Sequence, residues 1–372
     1  MGVLEVGWDQ VFAWRAHRQF LTAPTAAGPV AIAERLAGLQ AQVASAAETA
    51  AAVRGSDPQP EAVTAALTSG TLVKTWAMRG TLHAMTPEHA AAALSLIGSA
   101  RTWEKPSWQK TFGATPDQIS ALVTAVSEIL AEQVLTRDEL VDAVLAEPGF
   151  AHLGAQLRSG WGAVLKPLAW QGALCHGPAR GTKITFTAPA NQIPGWTGLP
   201  DPDTAAPTLI AAYLGAYGPA KPDTFDAWLS RNNLRKTVVR RWFADLGDTL
   251  TEVSVDGTTG WIRAEHADDL AAATLDGAIH LLGPFDQYVL GPGTGDTALL
   301  PTEHRAKVSR AAGWISPLVL VDGRIAGTWE QVDTEIVVST FDARPLPKRA
   351  LAAAVERLAV ATGAPGLTGR LA

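Results

Sequence analysis

The chain has 372 residues, with 30 Lys and Arg against 36 Asp and Glu, and so a formal net charge of −6 at pH 7. Apolar residues make up 47% and charged residues 18%, which excludes disorder across the chain, and the length sets a prior of about two or three domains. An evenly spread acid excess argues against a polyanionic partner, because proteins that bind nucleic acid are usually basic.

The first third reads as helices with one sheet-like break. Trp8, Val11, Phe12, Trp14 and Phe20 recur at helical spacing. Pro29 starts a second helix that Gly38 stops, an Ala-rich stretch to Arg54 makes a third, and Pro60 to Leu67 a fourth. The period then changes. Thr71, Val73, Thr75 and Trp76 are strand residues, and Arg79-Gly80 turns into Thr81 to Met85. Thr86-Pro87-Glu88 caps the next helix. Helices closed by a small hairpin are the plan of a winged helix.

The plan recurs. Thr115-Pro116-Asp117 opens a long helix, Thr136 to Glu139 is a capping box for the next, and a third is expected over Leu153 to Trp170. Short strands at Ala173-Leu174 and Lys183 to Thr187 follow, and the Pro- and Gly-rich stretch 191–207 marks a linker. In the third copy, helices at Leu209 to Tyr217, Pro222 to Leu229 and Leu234 to Leu246 precede strands Leu250 to Val255 and Thr259 to Arg263 around an Asp256-Gly257 turn. The units repeat at a spacing of roughly 100 residues, an ordinary domain size. After about residue 275 the chain is β-rich, with strands at Ile279 to Leu282, Val319 to Val321, Ile325 to Trp329 and Glu335 to Phe341, then a helix from Lys348 to Ala361. The expected fold is α+β: tandem winged-helix units at 1–110, 111–190 and 205–275, then a β-rich domain at 276–372.

The single Cys175 excludes an intramolecular disulfide and any multi-Cys metal site. The first residues lack the form of a signal peptide, Val6 breaks the myristoylation pattern, and no run approaches the ~20 apolar residues of a membrane span. A soluble, cytoplasmic protein without membrane association is expected.

The basic residues are clustered. Ser230 to Phe243 contains Arg231, Arg235, Lys236, Arg240 and Arg241 and no acid, at the position of a recognition helix, with Asn232 and Asn233 as further donors for phosphate. Arg305, Lys307 and Arg310 form a second cluster, and Lys74, Arg79 and Arg101 a looser third. A solvated helix face is the ordinary reading of such a run; its lack of compensating acid favours DNA or RNA contact.

Gly38-Leu39-Gln40-Ala41-Gln42-Val43 follows a helix stop, so it is expected to be extended. Leu39, Ala41 and Val43 then face one side and Gln40 and Gln42 the other, where two carboxamides can orient a water. On spacing alone they read better as a pair of surface glutamines. The eight histidines show no ligand spacing and read as packing or capping residues. Asp286 could act as a general base but reads better as a turn or salt-bridge residue, and the thirteen tryptophans read mostly as core.

Three segments together carry a resemblance: Lys74 to His83, Leu281 to Asp286, and Arg310 to Ile315 continuing to Asp322-Gly323-Arg324-Ile325-Ala326-Gly327-Thr328-Trp329. The chain resembles the bacterial winged-helix DNA-binding-domain proteins that include the AlkZ-type DNA glycosylases. The resemblance implies a C-shaped clamp of tandem winged helices and a β-domain. It also implies catalysis by a Gln-apolar-Gln motif, matched by Gln40-Ala41-Gln42. The implied reaction is hydrolysis of the N-glycosidic bond of cationic alkylpurines in double-stranded DNA, including crosslinks of azinomycin-like natural products. No cofactor or metal is expected, and without an evident dimerisation helix a monomer is expected. A non-catalytic winged-helix regulator, or a protein that sequesters drug adducts, is the alternative.

Overall fold

The computed structural model describes residues 3–342 and 346–372. It mixes helices with three separate sheets. Local signals set many of the helix starts. Thr115 and Thr136 each accept a hydrogen bond from the third helical residue, and Gln118 and Glu139 complete both capping boxes at the heads of Pro116–Leu130 and Arg137–Leu145.

The central sheet has six strands, in the order Leu39–Gln40, Leu82–Met85, Val73–Trp76, Cys175–Arg180, Lys183–Thr187 and Val134–Thr136. The two hairpins expected in separate units meet edge to edge, with Lys74 opposite His176. Joining them satisfies strand edges that would otherwise stay unpaired. One face carries Leu39 and Ala84 into the first helical core and Trp76, Leu82 and Phe186 into the second. The opposite face carries Val73, Met85 and Cys175 against the helix Pro202–Tyr217.

That helix begins earlier than expected, inside the stretch read as a linker. Asp201 accepts the Asp203 N–H at 2.9 Å and Pro202 takes the first helical position, a start that outweighs the Pro-rich composition. Its Tyr217 hydroxyl donates to the Leu36 carbonyl at 2.6 Å and its Tyr213 hydroxyl to Gly291 at 3.2 Å, tying the third unit to its neighbours.

The helix expected over Leu153 to Trp170 is divided into Gly154–Arg158 and Leu165–Trp170. Between them Gly162 takes φ +61°, and a Cβ there would stand 2.6 Å from the Trp76 ring, so the chain turns where only glycine fits.

The N-terminus also departs from its expected unit. Leu4–Val6 pairs in parallel with Leu250–Val255 of the third hairpin, and the helix Trp8–Arg18 follows it there through Val11 and Trp14. Asp256 and Gly257 both have positive φ, as the tight Asp-Gly turn requires. The last sheet orders Ile279–Leu282, Leu318–Val321, Arg324–Val332, Glu335–Thr340 and Thr368–Leu371. The helix Lys348–Thr362 covers it with Leu351, Val355 and Leu358. No helix among the described residues is long and apolar enough to cross a membrane.

Candidate active site

Gly38 ends the helical region at φ +116°, with space for a Cβ closed by Met85. The chain then extends. Leu39 pairs with Ala84 and Gln40 with His83, and the Ala41 N–H donates to Leu82 O at 2.7 Å. Leu39 and Ala41 are buried in the first core, so alternation turns Gln40 and Gln42 the other way. Gln40 is buried and Gln42 exposed at the open end of the strand.

Both carboxamides are held by backbone. Gln40 Oε1 accepts the Gln42 N–H at 3.3 Å, and Gln42 Oε1 accepts the Leu82 N–H at 3.4 Å. Each oxygen keeps a second lone pair and each side chain an NH₂ group for a further partner. The pair is neutral and fixed in orientation.

A histidine that reads from the sequence as a packing residue stands beside them. His83 is fully buried and directly opposite Gln40, and opposite residues on neighbouring antiparallel strands share a face. Its Nδ1 lies 3.0 Å from Thr81 O. A carbonyl only accepts, so Nδ1 carries the proton and Nε2 is a bare lone pair without a protein partner. Burial, reinforced by the Arg79 charge, pushes its pKa down to about 3, so the ring is neutral at physiological pH. Thr75, across the next strand pair, also has a buried hydroxyl without a protein partner. Alternation in Thr81 to Met85 could have placed His83 on a face; its register against Gln40 lies beyond local pattern.

The basic residues divide. Arg79, expected to contact nucleic acid, is turned inward. Its Nη1 donates to Trp228 O and Leu290 O, both at 3.1 Å, and burial pushes its pKa down to about 10. Lys74 is half-buried beside His176, its pKa lowered by burial. In the third unit the run without acid meets acids from elsewhere. Lys236 Nζ lies 3.1 Å from Asp223, and Arg241 pairs with Asp203. Arg231, Arg235 and Arg240 are exposed without a carboxylate partner among the described residues. Val239, Trp242 and Phe243 bury the other side of the helix Lys236–Asp245. Arg305 and Lys307 are exposed on the one-turn helix Arg305–Val308, with Arg310 exposed just after it.

Asp286 is no free base. Both its oxygens accept from Arg54, at 2.7 and 2.8 Å, with both side chains fully buried, and it caps Tyr288 N–H. Cys175 is buried, its thiol pushed up to about 12, and the described residues contain no cluster suited to a metal.

A pair of neutral carboxamides held by backbone N–H groups thus stands in a helix-and-hairpin protein that also exposes arginines. Residues 33–363 match the family model for AlkZ-like DNA glycosylases. The chain is 51% identical over 370 residues to the interstrand DNA cross-link repair glycosylase of Streptomyces sahachiroi, covering 99% of this chain and 100% of that one. It is also similar to the solved structure of Streptomyces sahachiroi DNA glycosylase AlkZ, with TM-score 0.96, 51% identity and the same coverage. The chain belongs to the AlkZ-like DNA glycosylase family, whose members hydrolyse N-glycosyl bonds.

Proposed function

We propose that the protein releases cationic alkylpurines of the N7-alkylguanine and N3-alkyladenine type from double-stranded DNA. Bulky adducts and interstrand crosslinks of azinomycin-like natural products are included, so that it acts in self-resistance. Three winged-helix units and the β-domain form a C-shaped clamp around the duplex, and the protein works as a cytoplasmic monomer at the nucleoid. The observation that carries this reading is the Gln40–Gln42 pair, locked by backbone N–H groups and standing beside a neutral His83 with an open lone pair. The relative's role in interstrand cross-link repair supports the substrate class.

The chemistry follows from the charge of the lesion. Alkylation at N7 or N3 makes the base a cation and a ready leaving group, so little general-acid help is needed. What remains is to place a water beneath an oxocarbenium-like sugar and stabilise that cation, which fixed carbonyl dipoles do without titrating. Gln40 and Gln42 hold the water, and the exposed arginines hold phosphates.

Purified protein should release N7-alkylguanine from alkylated duplex DNA and leave abasic sites in azinomycin-treated DNA. Gln40→Ala and Gln42→Ala should each lose most of the rate at unchanged DNA affinity. Full activity in the double variant overturns the assignment.

A further inference from the structure

Three cations from three different units meet in one groove of 460 Å³. Lys105 comes from the start of the helix Pro106–Phe112, Lys166 from Leu165–Trp170, and Arg231 from the end of Pro222–Ser230. No Asp or Glu lines the groove among the described residues. Lys105 Nζ donates to a neutral acceptor, Asn233 Oδ1, at 2.7 Å. Like charges gathered without acid disfavour one another: burial, and then the Arg231 charge, lowers the pKa of Lys166. Trp108, Phe112 and Trp170 supply low-dielectric walls, which focus the field of the cations between them.

Arg231 reaches the groove at a conformational cost. Arg231 and Asn232 take φ +61° and +58°, two successive non-glycine residues in the left-handed region, and such strain gathers at functional sites. The Ser230 hydroxyl, which accepts the Asn233 N–H at 2.8 Å, and the Lys105–Asn233 contact hold the turn in place. The hairpin turn at Gly80 ties the groove to the glutamines. Lys166 Nζ stands 3.8 Å from where a Gly80 Cβ would lie. Gly80 is two residues from Leu82, whose N–H donates to Gln42 Oε1 at 3.4 Å, and two residues span at most about 7 Å. The ammonium therefore lies within about 17 Å of the Gln42 carboxamide, about five nucleotides along one strand.

We propose that this groove holds the sugar–phosphate backbone of one DNA strand within a few nucleotides of the lesion, with Lys105, Lys166 and Arg231 meeting its phosphate oxygens. A phosphate offers acceptors to several donors at once and supplies the negative charge that the groove lacks. Lys166 gains most, because an anion offsets both effects that disfavour its charge. Binding the strand also draws donors from three units onto one ligand, and so fixes the units against one another. This inference rests on the DNA substrate proposed above and not on the glutamine chemistry.

The test measures binding by fluorescence anisotropy to duplexes containing one hydrolysis-resistant 2′-fluoro N7-methylguanine nucleotide. Each duplex carries a single neutral methylphosphonate within about six nucleotides of the lesion, on either strand. The wild-type protein should lose about tenfold in affinity at each phosphate it grips. Lys166→Gln and Arg231→Gln should each bind the unsubstituted duplex about tenfold more weakly and lower the salt slope by about one. In both variants the penalty at the same one or two adjacent phosphates should nearly vanish while the others persist. The thermal midpoint should not change. Variants that keep the wild-type salt slope and the wild-type pattern of penalties overturn the proposal, whether or not base is released. Weakened binding of inorganic phosphate by calorimetry, with the DNA pattern intact, also overturns it and assigns the groove to a free anion. The expected pattern in a protein that releases no base supports the groove and removes the glycosylase activity instead.

Discussion

Gln40 and His83 lie opposite each other on one antiparallel strand pair, one with a carboxamide anchored by a backbone N–H, the other with a neutral, buried imidazole whose Nε2 has no protein partner. On the proposed reading, in which Gln40 holds the hydrolytic water, His83 across the strand pair orients that amide or its water. His83→Ala should therefore lower the single-turnover rate of base release by about tenfold, since a small misplacement near reacting atoms is costly. Adding His83→Ala to Gln40→Ala should lower the rate little further, because the two act as a unit. Strictly additive losses count against this pairing. The wild-type rate should be flat from pH 6 to 9, as neither group titrates there.

Acid should weaken the fold through two buried histidines. His83 and His176 are both held at about 3, His83 by burial and Arg79, His176 by burial and the charges of Lys74 and Arg137. The unfolded chain protonates them near pH 6.5, before the native one does. Their stabilisation is complete above that pH and is lost as pH falls toward 3, by up to about 1.4 kcal/mol per pH unit for each. Urea unfolding at pH 7 and pH 5 measures the slope, and His83→Gln or His176→Gln should flatten it.

The Arg54–Asp286 pair joins the turn after the helix Ala44–Ala52 in the first unit to the loop after Ile279–Leu282, the first strand of the last sheet, wholly out of water. Removing one partner strands the other charge, so Arg54→Met or Asp286→Asn should destabilise the protein by about 3–5 kcal/mol. Arg54→Met combined with Asp286→Leu should recover much of that loss. Chemical denaturation of the three variants decides it.

Salt dependence should separate the arginines. Arg235→Gln and Arg240→Gln remove exposed, unpaired charge, and each should reduce the slope of log affinity against log salt by about one. Lys236→Gln and Arg241→Gln should change it much less, because Asp223 and Asp203 already neutralise those groups. Arg79→Met should leave the slope unchanged but destabilise the fold, since its guanidinium donates to the Trp228 and Leu290 carbonyls. Equal slopes across all five variants contradict this division.

Much of the local structure was legible from the residues. Thr115 and Thr136 start their helices with capping boxes, Asp256-Gly257 turns its hairpin, and Gly38 stops a helix so that Gln40 runs extended. The helix Lys236–Asp245 takes up the second half of the basic run Ser230 to Phe243 that the sequence marks out. The misplaced boundaries have local causes too: Asp201 caps a helix inside a Pro-rich stretch, and Gly162 breaks one that apolar periodicity carries through.

The amino-acid sequence by itself determined the elements, the extended Gln-Ala-Gln segment and the charge clustering, because caps, turns and alternation act within a few residues. Tertiary structure decided the partners. It set His83 opposite Gln40, turned Arg79 inward, joined Leu4–Val6 to the third hairpin, and supplied Asp203 and Asp223 to a run that contains no acid. It also left Trp161 and Trp314 exposed, although the sequence reads the tryptophans mostly as core. Strand register, ion pairing and exposure depend on residues far apart in the chain, and only packing brings those together.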